Sequence, residues 1–386
     1  MTSPVVVAES GGAVAVFERR EGAWQRTPLS DAGVWPVWRP GRAQAAVSVV
    51  EAGRPPTSEV RIVGATPPVE TVVAYRSAPG GPAVIAPRIP HYVNWSPAGD
   101  VLSVVAPGAD GLTLFLSDPE GSYSSDAIVS GGPLFSAWAA AGDCLAIHKG
   151  NELVLYWPRE RRSVRVTSEA VGFRTPACVG RSVMYARPGG DGVILGRREL
   201  DSEDDRDLLS FGGGVAIVAR PGAPQVAVAV AADPNTGLFS QLWLVDVLTG
   251  EKLASMHRGP FVSATWSPVG DCLALTIPTQ SGDGRFMMLV VGDDGRYRAA
   301  SDGFVPGQDF RTLLGFFDQY AQSHHLWAPD GSAVLMAGRM MGDGVAASFS
   351  DGPRDYVLSW ATHGREPIEV VGRGDTGFFP PRVNAR

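Results

Sequence analysis

Lysine is almost missing from this chain: Lys149 and Lys252 are the two in 386 residues, so nearly all positive charge is arginine, a bias that reads as GC-rich coding of a bacterial kind. Asp and Glu number 40 against 33 Lys and Arg, the formal charge is −7, and the densest basic stretch is Arg159-Glu160-Arg161-Arg162. A surface that tracks phosphates needs a basic stripe, so no nucleic-acid partner is expected. Cysteine is scarce as well, and Cys144, Cys178 and Cys272 are too few and too dispersed for a disulfide framework. Two of them sit in matching strings, Gly142-Asp143-Cys144-Leu145-Ala146 and Gly270-Asp271-Cys272-Leu273-Ala274, which implies equivalent buried strand positions. No run approaches the ~18 apolar residues of a membrane helix, and the first 20 residues lack a basic start, an apolar stretch and a small-residue cleavage site. A cytoplasmic chain without membrane insertion is expected.

Signatures of chemistry are missing too. The chain has no G-x-S-x-G elbow, no H-E-x-x-H helix, no G-x-x-x-x-G-K-[ST] loop and no paired C-x-x-C. No strand is read as leading into a G-x-G-x-x-G loop. No catalytic residue, metal ligand or cofactor is therefore assigned from motifs.

What the chain has in quantity is turn formers: 47 Gly and 31 Pro, scattered between short apolar runs. They belong to a repeating phrase. It reads Asn94-Trp95-Ser96-Pro97-Ala98-Gly99-Asp100, then Thr265-Trp266-Ser267-Pro268-Val269-Gly270-Asp271, then Leu326-Trp327-Ala328-Pro329-Asp330-Gly331-Ser332, with a proline-free copy at Ala137 to Asp143. Val37-Trp38-Arg39-Pro40-Gly41 and Val218-Ala219-Arg220-Pro221-Gly222 match each other more than they match the rest, and weaker traces lie at Pro176 and Phe379. Anchored at Trp38, Trp95, Trp138, Pro176, Ala219, Trp266, Trp327 and Phe379, the intervals are 57, 43, 38, 43, 47, 61 and 52 residues. That is the period of a four-stranded propeller blade.

The phrase has a physical reading. An apolar strand ends at the tryptophan, a proline and a glycine make a tight turn, and a strand of small and β-branched residues follows. Two further strands per repeat complete a blade, and the tryptophan packs between neighbours. The expected fold is an all-β, closed β-propeller spanning residues 1–386 as one domain, with eight blades, or seven if the weak copies fail. Ring closure is expected from a blade shared by the two ends: an innermost strand from Phe379 onward beside Val5 to Glu9, Ala13 to Glu18 and Trp24 to Thr27. The Trp-Ser-Pro-x-Gly-Asp phrases resemble TolB-type, WD-like propeller repeats, which are also similar to the propeller domains of prolyl oligopeptidases and dipeptidyl peptidases. The resemblance implies the fold over nearly the whole chain. It implies no activity, because such repeats serve scaffolds, adaptors and peptidases alike.

Long intervals mark insertions at 76–92 and 301–325, expected on the channel-mouth face. Within the second, Phe310, Leu313, Leu314, Phe317 and Tyr320 have helical spacing with Asp309 as N-cap, predicting a short amphipathic helix that plugs the channel or acts as a lid. Arg88, His91, Tyr92, Asp318, Gln319, Tyr320, His324 and His325 are candidates for a channel-mouth cluster, and Arg373, in Arg373-Gly374-Asp375-Thr376-Gly377, for a rim loop. The acidic run Asp201 to Asp207 reads as a solvated blade tip. The expected function is a non-catalytic scaffold or interaction module whose rim binds a protein or peptide. The alternative is a small-ligand binder or metal-dependent lyase or hydrolase using His91, His324, His325 and Asp318.

Overall fold

In the computed structural model the described residues are 3–51, 57–64, 72–76, 92–108, 111–119, 127–171, 174–190, 192–231, 233, 237–279, 284–300, 303–340, 355–363 and 368–382. They form antiparallel sheets dealt out in chain order, as in a propeller of four-stranded blades. Six sheets have four strands and a seventh has eight. The long sheet carries both the Trp266 and the Trp327 repeats, because the short strand Phe304–Pro306 pairs at once with Phe286–Gly292 and with Ala333–Met340. Counted by sheets the described residues give seven units; counted by anchors they give eight.

The repeated phrase folds the same way at each copy. A strand ends at Trp38, Trp95, Trp138 and Trp266. The turn that follows closes with one hydrogen bond, Gly99 N to Ser96 O, Gly142 N to Ala139 O, Gly270 N to Ser267 O or Gly331 N to Ala328 O, at 2.8–2.9 Å. In the two copies that read Ser-Pro-x-Gly-Asp, the serine hydroxyl donates to the aspartate, Ser96 to Asp100 at 2.5 Å and Ser267 to Asp271 at 2.6 Å, locking the turn. Cys144 and Cys272 occupy equivalent positions, their carbonyls accepting from Ala139 N and Ser267 N. All three cysteines are buried, and burial pushes the Cys144 and Cys272 thiols up to about 12, so they behave as core residues.

The tryptophans stitch neighbouring repeats together. Indole Nε1 donates to a carbonyl on the innermost strand of the preceding repeat: Trp38 to Phe378 O at 2.9 Å, Trp95 to Val37 O at 3.4 Å, Trp266 to Val218 O at 3.3 Å and, within the long sheet, Trp327 to Thr265 O at 3.1 Å. The two copies that have arginine after the anchor use it for the same purpose. Arg39 reaches Gly99 O at 2.6 Å and Gln44 Oε1 at 2.9 Å, and Arg220 reaches Gly270 O and Gln225 Oε1, both at 2.7 Å. Each guanidinium also lies about 5 Å from the next tryptophan ring, Trp95 or Trp266. These shared contacts explain why the two copies resemble each other.

One glycine tests this seam. At Gly270 φ is +77°, and a Cβ would stand 2.5 Å from Pro221 O in the neighbouring turn; at Gly222, φ +74°, it would meet nothing within 4 Å. Gly270→Ala is expected to cost about 3 kcal/mol and Gly222→Ala only about 1, the left-handed backbone penalty alone. Urea denaturation of the pair measures the difference.

The two chain ends do share a sheet, but the closing strand lies just ahead of the expected stretch from Phe379 onward, and Phe379 itself makes only an isolated bridge to His325. Thr376–Phe378 pairs with Val5–Ala8, with Val6 opposite Phe378 and Ala8 opposite Thr376, and Val14–Arg20 and Ala23–Ser30 complete that sheet. Here one expectation needs correction: Gly372, Gly374 and Gly377 spell G-x-G-x-x-G, starting inside strand Glu369–Arg373. The run leads into another strand instead of a helix, and its glycines serve packing. A Cβ on them would lie 2.5–2.6 Å from Phe17, Val7 and Val357 respectively. The acidic run is solvated as expected, with Asp201 to Glu203 and Asp205 to Asp207 exposed, but its second part begins an outer strand, Asp205–Phe211.

Candidate functional site

The channel axis is occupied by the chain's own insertion. Helix α1 (Gln308–Gly315) and the single turn α2 (Phe317–Tyr320) replace the one helix expected, broken at Phe316 with φ −120°. Asp309 is not the N-cap. Gly307 holds that position with no side-chain bond, and Asp309 lies one residue inside, where its charge faces the positive end of α1. The spacing of the apolar residues is nonetheless what drives placement, since Phe310, Leu313, Leu314, Phe317 and Tyr320 are all buried.

The helices of the insertion touch strands of three sheets. α1 packs on Ala333–Met340, while α2 contacts the innermost strands Leu134–Trp138, Val215–Ala219 and Ser263–Trp266. Tyr92, at the start of its strand, donates its hydroxyl to Gln319 O at 2.7 Å. Gln322 imitates a neighbouring strand, accepting from Trp138 N at 2.8 Å and donating to Trp138 O at 2.9 Å. Innermost strands have one unpaired edge facing the channel, and the Gln322 pair caps it at Trp138.

Asp318 is the polar centre of the plug. Its side chain is 1% exposed; Oδ1 accepts from Arg174 at 3.1 Å and Oδ2 from Thr175 N at 3.0 Å. Arg174 also binds Gly315 O at 2.9 Å, and its own carbonyl accepts from His148 Nδ1 at 2.8 Å. His324 sits among the rings of Tyr320, Trp35 and Phe378, at centroid distances of 5.0, 5.4 and 4.7 Å, with Nδ1 2.7 Å from Ser323 Oγ. His325 pairs with Phe379, its carbonyl accepting from Phe379 N at 2.8 Å.

Thus Tyr92, Asp318, Gln319, Tyr320 and His324 come together, and His325 adjoins them. Arg88 and His91 fall outside the described residues, together with most of the first insertion. Among the described residues no three of His, Cys, Asp and Glu converge as a metal site. Sequence reasoning missed Trp35, Arg174, Thr175 and Gln322. Trp35 carries a local signal, since it precedes Pro36 at a bulge and adopts φ +51°, which turns its ring 4.9 Å from Tyr320.

Burial sets the acid response of this cluster. It pushes His324 down to about 3, helped by His325 nearby and opposed by the Trp35 backbone, and pushes His325 down to about 4. A histidine depressed in the folded state is neutral there and takes its proton only on unfolding, so stability is complete above about 6.5 and falls as pH drops toward the folded value. His324 alone is expected to remove about 2 kcal/mol by pH 5. His324→Phe, measured by denaturation between pH 7 and 5, should flatten that decline.

Arg373 lies elsewhere on the same set of connections. It lines a cleft of about 580 Å³ with Glu9, Ser10, Arg339, Asp355 and Asp375. The cleft abuts the base of the plug, because a Cβ on Gly307 would stand 2.8 Å from Asp355 Oδ2.

Solved structures share this architecture at low identity. A structure described as the eukaryotic initiation factor superposes with a TM-score of 0.58 at 12% identity, covering 99% of this chain and 99% of that one. An oligogalacturonate lyase in complex with manganese gives 0.53 at 12%, covering 87% of each chain. A prolyl endopeptidase gives 0.58 at 11%, covering 90% of this chain and 50% of that one. Identities this low show the fold alone, and at that level the propeller resemblance of the repeats holds. No protein-family model matches the chain, and no curated protein matches it.

Proposed function

We propose that this chain is a non-catalytic propeller module that binds a protein or peptide partner on the rim of its plugged channel. The observation that carries this reading is the insertion itself. Among the described residues the axial space, where propellers hold small ligands, is filled by buried side chains of α1 and α2, and an open cleft lies on the rim beside them.

The same geometry weighs against the metal-dependent alternative at Asp318. Both of its oxygens already accept hydrogen bonds, and freeing them would cost a buried ion pair. His324 has Nδ1 engaged by Ser323 and, among the described residues, Nε2 without a hydrogen-bond partner, and three rings pack around it.

Selection of peptides from a display library against the intact protein, followed by hydrogen-exchange footprinting, tests the proposal. Peptides that protect the 9–13 turn and residues 355–358 and 369–376 support it. Protection confined to the outer strands, such as Lys252–Phe261, or a selection that yields no binder, overturns it.

A further inference from the structure

Two buried polar atoms beside the residues that hold Asp318 have no hydrogen-bond partner among the described residues: Nε2 of His148 and Oγ1 of Thr175. His148 is 4% exposed and Thr175 5%, so bulk solvent does not serve them. Leaving such atoms without a partner is unfavourable. Both residues line one small cavity of about 10 Å³, with Arg174, Tyr185 and Ile217 also in its wall. That is about the least space that holds one water molecule, and no larger ligand fits.

The donors and acceptors narrow the occupant further. His148 Nδ1 lies 2.8 Å from Arg174 O, and a carbonyl only accepts, so Nδ1 carries the proton and Nε2 presents a lone pair in the neutral ring. The Thr175 hydroxyl both donates and accepts. A halide would face the lone pair of Nε2, and a cation would stand beside Arg174 with two protein ligands. A small neutral donor matches both atoms.

We infer that this cavity is a binding site for one water molecule, which donates to His148 Nε2 and bonds Thr175 Oγ1. Such a water ties strand Leu145–Lys149 to the connection at residues 174–176. That connection supplies the Arg174 guanidinium and Thr175 N, the two groups that hold Asp318 of α2. The water is therefore part of the receptor for the plug, and it is costly to remove. The site stands whether or not the rim binds a peptide.

Oxygen-17 magnetic relaxation dispersion of the solvent, which counts long-lived internal waters and is blind to protein hydroxyl protons, tests the site in the intact chain. Thr175→Val removes the hydroxyl while keeping the branched shape and the backbone N–H that binds Asp318, and should hold one water fewer than the parent. His148→Phe, which takes away Nε2 and fills the space of the ring, should also hold one fewer, and Thr175→Ser should hold the parent's number. In urea denaturation Thr175→Val should lower the folding equilibrium constant about fivefold, the size of one lost hydrogen bond. A hydroxyl without a bound water gives the opposite sign, because replacing an unpartnered buried polar atom by a methyl group is neutral or stabilising. The parent's water count in Thr175→Val or His148→Phe, a water lost from Thr175→Ser, or a Thr175→Val chain at least as stable as the parent overturns the inference.

Discussion

Phe317→Ala is expected to destabilise the protein by about 3–5 kcal/mol, the range for deleting a fully buried aromatic side chain. Phe317 is 1% exposed, and its ring meets Phe239 edge-on at 5.6 Å. α2 touches three innermost strands at once, so a cavity there opens on the axis, where rigid sheets on several sides cannot collapse into it. Arg311→Ala, on the exposed face of α1, is the matched control and should change stability by less than ~0.5 kcal/mol. Chemical denaturation of both variants decides the matter. A loss below ~1 kcal/mol for Phe317→Ala would mean that the insertion rests loosely in the channel, and the channel would return as a ligand site.

Removing the chain from Thr376 onward is expected to have a still larger effect, abolishing the cooperative thermal transition. The deletion leaves Val5–Ala8 with an open inner edge and takes away Phe378 O, the acceptor for Trp38. It also strips Phe378 from His324 and Phe379 from His325, and both phenylalanines are fully buried. A short stretch of chain thus supports one sheet, one tryptophan stitch and the end of the plug. Calorimetry and size-exclusion chromatography of the shortened protein provide the check. A monomer with the parent's transition would show that the ring holds without its last strand.

The repeat was legible because each copy encodes its own turn and its own link to a neighbour. Ser96 and Ser267 lock their turns locally, and proline and glycine announce the bend, so the pattern survives in sequence. The destination of the insertion was not. Helical spacing at Phe310, Leu313, Leu314, Phe317 and Tyr320 says that a face is buried, and says nothing of which surface covers it. Asp318 stood out as an ionisable group, but its partners Arg174 and Thr175 lie more than 140 positions earlier in the chain. Gln322 carried no signal, since a side chain that imitates a strand edge has no local signature. The rim cleft was beyond sequence for the same reason: Glu9 and Asp375 lie at opposite ends, and only ring closure makes them neighbours.

Hydrogen exchange at the seam between the chain ends tests closure most directly. Amides of residues 5–8 and 376–379 should exchange as slowly as those of the innermost strand Leu134–Trp138, because they lie in a buried ladder whose opening requires breaking the ring. Exchange of residues 376–379 as fast as that of the exposed turn at residues 201–203, with the other innermost strands still protected, would show that the two ends do not share a sheet.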